Sequence, residues 1–197
     1  MEQWFFKTTE YAEELLKGLD KLEDWPETTK KIQSNWIGKS NGSEIRFMDA
    51  YGKFDISVFT TRPDTINGVS YIVVAPESDL VTQITKEEYR EDVRKYIEQT
   101  GRLTEIERLS SEREKTGVFT GAYVVNPING EKIPVWIADY VLDDYGTGAV
   151  MAVPAHDKRD YEFAKKYKLT IKEVILGNES REYTLPYTGK GTLINSG

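Results

Sequence analysis

Phe54-Asp55-Ile56-Ser57-Val58-Phe59 runs directly into Thr60-Thr61-Arg62-Pro63-Asp64-Thr65. In the first half, Phe54, Ile56 and Val58 alternate with Asp55 and Ser57, the two-residue period of a strand with one buried face. Pro63 closes the strand, because it has no N–H to give to a central ladder. The turn that follows is dense in hydroxyls and holds one Arg and one Asp. Its plainest reading is a polar loop in which Asp64 and the threonines satisfy their own backbone. Its functional reading is a loop carried on the end of a rigid strand, where binding groups are commonly placed.

Working outward, strands are expected from Gly42 onward. Val69 to Ala75 is a near-continuous apolar run, which predicts a strand buried on both faces. Thr85-Lys86-Glu87-Glu88 reads as a capping box, opening a helix whose stripe is Tyr89, Val93, Tyr96 and Ile97 and which stops at Gly101. Strands resume at Val118, and Asn129-Gly130 reads as a hairpin turn between Ala122–Val125 and Lys132–Ala138. A strand over Gly146–Val153, a helix over Asp157–Tyr167 and a last strand over Ile171–Leu176 complete the pattern. Ahead of the strands, Tyr11, Leu15, Leu19 and Leu22 form a helical stripe that Thr8 or Thr9 can cap. Trp25-Pro26 ends it, and a second helix is expected from Pro26 to about Asn35. The fold class expected is a β-barrel-centred mixed α/β domain with peripheral helices. The expected organisation is a helical segment over 1–41, the main domain over 42–186 and an exit strand over 187–197.

The 197 residues carry a formal net charge of −7, with no cysteine and one histidine, His156. Disulfides, thiolate nucleophiles and cysteine zinc sites are thereby excluded, as is a multi-histidine metal site. No apolar run is long enough to span a bilayer, and Met1 to Lys7 does not read as a signal peptide. An acidic chain does not by itself hold long stretches of nucleic acid, since that affinity comes from neutralising phosphates. If RNA is the substrate, this chain touches a small part of it and another module supplies the grip.

The second informative stretch is Tyr145-Gly146-Thr147-Gly148-Ala149-Val150-Met151-Ala152-Val153-Pro154-Ala155-His156-Asp157-Lys158-Arg159-Asp160. Gly-Thr-Gly is not a phosphate loop here, because no Gly-Lys-Ser/Thr follows. Asp157 is a good N-cap. Phe163, Ala164 and Tyr167 share a helix face with Asp160, which puts a carboxylate on the buried stripe, where it requires a partner. Two readings stay open: Asp160 completes a reciprocal cap with Asp157, or it is an anion facing a cleft and awaiting a cation. A lone His beside an N-cap is more often a structural hydrogen bonder than a catalyst, though His156 is also able to orient a water.

These two stretches resemble the editing domain of bacterial-type leucyl-tRNA synthetases, and the resemblance extends over essentially the whole chain. Trp36-Ile37-Gly38-Lys39-Ser40 resembles the family's lead into that domain, and Leu193-Ile194-Asn195-Ser196-Gly197 its return toward the catalytic core. The ATP-binding signatures of class I synthetases, His-Ile-Gly-His and Lys-Met-Ser-Lys-Ser, are absent. The chain therefore reads as a segment of a larger synthetase, without synthetase activity of its own. Related valyl and isoleucyl domains differ: the valyl type tends to place Glu where Asp64 stands. Ile66-Asn67 and Ser78 depart from many leucyl sequences.

The resemblance implies hydrolysis of the ester of mischarged tRNA-Leu, with isoleucine, methionine or norvaline removed and leucine excluded. It implies Thr60, Thr61 and Asp160 as the catalytic set. Asp160 takes the substrate's α-ammonium, and the threonines hold the carbonyl, the ribose or the attacking water. Arg62, Thr65, Tyr145, Met151, Val153, His156 and Asp157 form the substrate-binding set. Within it, Thr65 walls off leucine, Met151 and Val153 stand beside it, Arg62 places the terminal nucleotide or steadies the loop, and Tyr145 meets the terminal adenosine or lines the entrance. No metal or cofactor is implied for this domain; ATP and Mg belong to the parent's catalytic core. The partners implied are the 3′ end of mischarged tRNA-Leu and the rest of the parent synthetase, in the cytoplasm and with no membrane. Two competing classes are a non-catalytic tRNA-binding module and a metal-dependent hydrolase built on Asp157, Asp160 and His156. The presence of Asp160 and the threonine pair argues against the first, and the use of Asp157 as a cap against the second.

Overall fold

The computed structural model describes all residues except 1–3, 5, 40, 111–112, 144–145, 178–183 and 197. The chain divides into two compact units, Met1–Asn41 and Gly42–Gly197. The first holds two helices, α1 (Ala12–Leu19) and α2 (Glu27–Ile37), neither with a buried residue. The chain enters α1 through a 3-10 turn, Thr8–Tyr11, with no side-chain cap. The cap expected from Thr8 or Thr9 is therefore absent. Leu22 falls in the turn after α1, its N–H donating to the carbonyl of Leu19. Pro26 stands immediately before α2, its extended backbone leading into the first turn.

The second unit is built on a six-stranded mixed sheet. Its strands are β1 (Ser43–Asp49), β2 (Asp55–Thr60), β3 (Tyr71–Val74), β4 (Gly117–Val125), β5 (Lys132–Ala138) and β6 (Ala149–Ala152), in the spatial order β2-β1-β4-β5-β3-β6. Ile56 and Val58 of β2 are fully buried, as the alternation predicts. The two edge strands, β2 and β6, approach one another, but among the described residues no ladder joins them. The hydrogen bonding therefore gives a curled mixed sheet.

β3 explains why one segment is apolar throughout. It pairs parallel with β5 and antiparallel with β6, so both edges are occupied. Ile72 and Val74 enter the main core with Phe47, Ile56, Val124 and Val135. Tyr71 and Val73 enter a second core on the other face, with Phe163 and Ala164. Those two residues belong to α6 (Lys158–Tyr167), the helix that follows β6.

The helical insertion comprises α3 (Leu80–Ile84), α4 (Arg90–Thr100) and α5 (Glu105–Leu109). The capping box expected at Thr85 does not form. The Thr85 hydroxyl instead reaches back to the carbonyl of Val81 at 2.6 Å, the usual back-bond of a threonine at a helix end. The capping box lies at Thr104 and Glu107, where each side chain bonds the other's backbone N–H. Val93 and Tyr96 are buried along α4, which ends at Gly101. β4 and β5 form the expected hairpin, with a loop wider than the two residues Asn129-Gly130, closed by Asn126 N–H to Glu131 O at 2.9 Å. The last expected strand shortens to β7 (Ile175–Gly177), which pairs with β8 (Gly191–Leu193) in a separate two-stranded sheet.

Phe163 ties α6 to the sheet. Its ring stacks on Tyr71 at 5.1 Å and lies 4.5 Å from Tyr167, 5.6 Å from Trp136 and 5.7 Å from Tyr140. Phe163→Ala is expected to cost about 3–5 kcal/mol, read as a lower midpoint in urea unfolding; a loss under about 1 kcal/mol would show that the helix is held by something else.

Candidate active site

The turn after β2 is a 3-10 helix, Pro63–Gly68. Much of its polarity is spent on itself. Thr60 Oγ1 accepts the N–H of Arg62 at 3.0 Å. Arg62 forks onto Asp64, with contacts of 2.9 to 3.2 Å, and that fork holds the Asp64 carboxyl below its ordinary range. Thr65 is 0% exposed, and its hydroxyl donates to the carbonyl of Arg62 at 2.8 Å. Thr61 is exposed and, among the described residues, has no partner. The self-satisfying loop read from the sequence is thus realised by Thr60, Asp64 and Thr65, while Thr61 is left pointing outward.

Two asparagines outside the expected set hold this turn. Asn126, fully buried in the β4–β5 loop, donates to the carbonyl of Ile66 at 2.8 Å. Asn67 donates to the carbonyl of Ser196 at 3.3 Å. No local pattern marks either, because each partner is remote in sequence.

Along β3, which follows the turn, β6 runs antiparallel and leads into α6. Gly146 and Gly148 both adopt φ near +67°, a conformation that side chains disfavour. The Gly-Thr-Gly spacing therefore answers a backbone requirement. Tyr145 lies outside the described residues. Met151 and Val153 are buried in the main core. His156 is also buried and uses both ring nitrogens on backbone. Nε2 accepts the N–H groups of Val174 at 3.0 Å and Ile175 at 3.2 Å. With Nε2 accepting, Nδ1 carries the proton and donates to the carbonyl of Tyr187 at 2.9 Å. This is the structural role, joining the α6 approach to β7, and it leaves neither nitrogen for a water or a metal.

Asp157 caps α6, its Oδ1 accepting the N–H of Asp160 at 3.0 Å. Asp160 does not return the favour. Its Oδ2 accepts the N–H of Val153 at 2.9 Å, so the reciprocal cap does not form. Asp160 is 2% exposed, and its Oδ1 is out of water with no hydrogen-bond partner. The nearest cation is Arg159, with Nε 3.5 Å from Oδ1. Burial, joined by the charge of Asp157, pushes the Asp160 carboxyl up to about 7, against the pull of Arg159 and the Val153 N–H. A buried carboxylate with one open oxygen at a helix N-terminus is suited to receive a small cation such as an ammonium group.

A sizeable opening lies elsewhere. A cleft of about 610 Å³ is lined by Asp49, Tyr51, Phe54, Lys86 and Tyr123 among others, at the opposite end of β2 from Thr60. None of its lining residues carries a buried charged-group atom without a hydrogen bond, whereas Asp160 does. Chemistry, more than volume, marks the site.

The family model for the leucyl-tRNA synthetase editing domain matches residues 34–197. The chain is 58% identical over 196 residues to a leucine–tRNA ligase of Clostridium kluyveri and equally to one of Clostridium tetani. Each match takes in 100% of this chain and 24% of the relative, so the chain spans about a quarter of their length. A solved relative, the LeuRS of an Agrobacterium radiobacter LeuRS–tRNA–LeuAMS ternary complex, superposes with a TM-score of 0.73 at 39% identity, covering 93% of this chain and 22% of that one.

The raised Asp160 carboxyl has a consequence for stability. From its ordinary value of 3.8 up to about 7, the folded chain retains a proton that the unfolded chain has lost, so this group's contribution is full below the lower value and declines as pH rises through the upper one. Asp160→Asn keeps an oxygen for the Val153 N–H and removes the titration. The variant is expected to gain on the wild type by on the order of a few kcal/mol between pH 4 and pH 8 in urea unfolding; a difference constant across that range would contradict the burial of an ionisable group here.

Proposed function

Because the chain belongs to the leucyl-tRNA synthetase editing-domain family, we propose that it hydrolyses the ester joining a wrong amino acid to the terminal ribose of tRNA-Leu. Isoleucine, methionine and norvaline are the amino acids removed, and leucine is excluded. The observation that carries this reading is the open Oδ1 of Asp160, buried at the start of α6. A free α-amino group is what an aminoacyl ester offers to such an oxygen.

The rest of the site divides the work. The ester is already activated, so water attacks it directly and no covalent nucleophile is needed. Thr61, exposed and unpartnered, meets the carbonyl, the ribose or the water, and Thr60 stands beside it at the end of β2. Arg62, forked onto Asp64, steadies the turn while its outer face meets the terminal nucleotide. Thr65 is stiff at χ1 and tied by its hydroxyl. It forms the wall that the γ-branch of leucine strikes, with Met151 and Val153 beside it. Asp157 sets Asp160 through the helix cap, and His156 holds the loop that leads into that cap. The seam where β2 and β6 approach is where the sheet closes toward a barrel around this site.

The partner is the 3′ end of mischarged tRNA-Leu. A relative solved with tRNA supports that choice, and the net charge of −7 assigns most of the grip to the rest of the parent synthetase. Among the described residues no helix is long and apolar enough to cross a membrane, consistent with work in the cytoplasm. Hydrolysis here needs no cofactor; ATP and Mg serve the catalytic core, whose signatures this sequence lacks.

Deacylation of Ile-tRNA-Leu and Leu-tRNA-Leu by the chain at micromolar concentration tests the reading. Ile-tRNA-Leu is expected to be hydrolysed, Leu-tRNA-Leu spared, and EDTA without effect. Asp160→Ala should lower the rate by roughly 10²–10³. Thr65→Ala should raise hydrolysis of Leu-tRNA-Leu by roughly 10- to 200-fold, with less change for Ile-tRNA-Leu. A folded Asp160→Ala chain that clears Ile-tRNA-Leu at the wild-type rate would remove Asp160 from the mechanism, and a Thr65→Ala chain that still spares leucine would move the wall elsewhere.

A further inference from the structure

We propose that Arg159 is a positioning residue for Asp160: its guanidinium favours the charged form of the buried carboxylate while leaving Oδ1 without a hydrogen bond, free for an incoming ammonium group. The proposal rests on the reading of Asp160 as the ammonium seat. Arg159 Nε and Asp160 Oδ1 are both out of water and both without a hydrogen-bond partner. They stand 3.5 Å apart. That is too long for a charge-assisted bond, which closes to about 2.7–2.9 Å, yet short enough for strong attraction away from water.

A second observation explains why the gap does not close. The guanidinium lies over the ring of Tyr140, its carbon 4.6 Å from the centroid, so stacking holds the cation. The other arginine of the site, Arg62, makes a closed fork on Asp64 at 2.9 to 3.2 Å. Such a fork on Asp160 would occupy the lone pairs that the substrate needs. The stack on Tyr140 supplies the compensating charge without that occupation.

The other groups facing Asp160 cannot take its place. Asp157, at the cap of α6, is a like charge. Tyr71 of β3 and Tyr140, after β5, are held above the usual phenol range by burial and stay neutral. The Val153 N–H binds only Oδ2. Without Arg159 the carboxylate retains one hydrogen bond and a repulsive neighbour, and it holds its proton to higher pH. A neutral acid offers an ammonium group far less.

The test is a pH titration of the 197-residue chain labelled with carboxyl-13C aspartate, with Asp160→Asn assigning the resonance. Arg159→Gln is expected to raise the Asp160 midpoint by about 1 pH unit, and Arg159→Lys to return it close to the wild-type value. The acid limb of Ile-tRNA-Leu deacylation should move upward with it in the Gln variant, with recovery of rate at higher pH, a pattern that a merely structural defect does not give. An unmoved midpoint in folded Arg159→Gln overturns the proposal and leaves the deacylation reading standing. A wild-type chain that does not deacylate overturns that reading, while the titration still judges the charge role. If Arg159→Gln does not fold, Tyr140→Leu serves instead: freed from its platform, Arg159 should close on the carboxylate and lower the midpoint, and an unchanged midpoint overturns the proposal.

Discussion

A carboxylate taken out of water has to be compensated by hydrogen bonds or by charge, and Asp160 is compensated in halves. The N–H of Val153 satisfies Oδ2; Oδ1 has charge nearby and no bond. Several features between β6 and α6 serve to keep that half-satisfied group in place. Asp157 caps the helix and fixes the backbone of Asp160. The Tyr71 hydroxyl donates to the Asp160 carbonyl at 3.2 Å. His156 ties the intervening loop to the backbone of Val174, Ile175 and Tyr187. An unsatisfied buried oxygen is costly, and it persists here because these restraints hold the residue in place.

The sheet makes this arrangement possible by giving β3 two neighbours and two cores. β3 is paired on both edges and covered on both faces, and β6 is hydrogen-bonded along it. α6 then packs on the second core through Phe163 and Ala164. Asp160 lies one turn before Phe163 on the same face, so the ring cluster that anchors the helix also buries the carboxylate.

The opposing turn is rigid for a different reason. Its backbone and side chains bond chiefly to each other, and Asn126 and Asn67 fasten it to the β4–β5 loop and to the C-terminal segment. Thr65 is wholly buried, with its hydroxyl committed to the carbonyl of Arg62.

Local periodicity was enough to read β2, the doubly buried β3, the stripe of α4, the cap at Asp157 and the burial of Asp160, because these depend on neighbours within one or two turns of chain. The two motifs that carry the family resemblance were legible for the same reason: each is a continuous run. Thr85 misled because a capping-box pattern does not reveal that a short helix, α3, ends there and claims the hydroxyl. The partner of Asp160, the stack of Arg159 on Tyr140, the pinning of the turn by Asn126 and the parallel pairing of β3 with β5 lay beyond any reading of the sequence. Hydrophobic pattern records which face of an element is buried and says nothing of what covers it. That is decided when strands distant in sequence pair, and only then does a buried carboxylate acquire one bond, one neighbouring charge and one open oxygen.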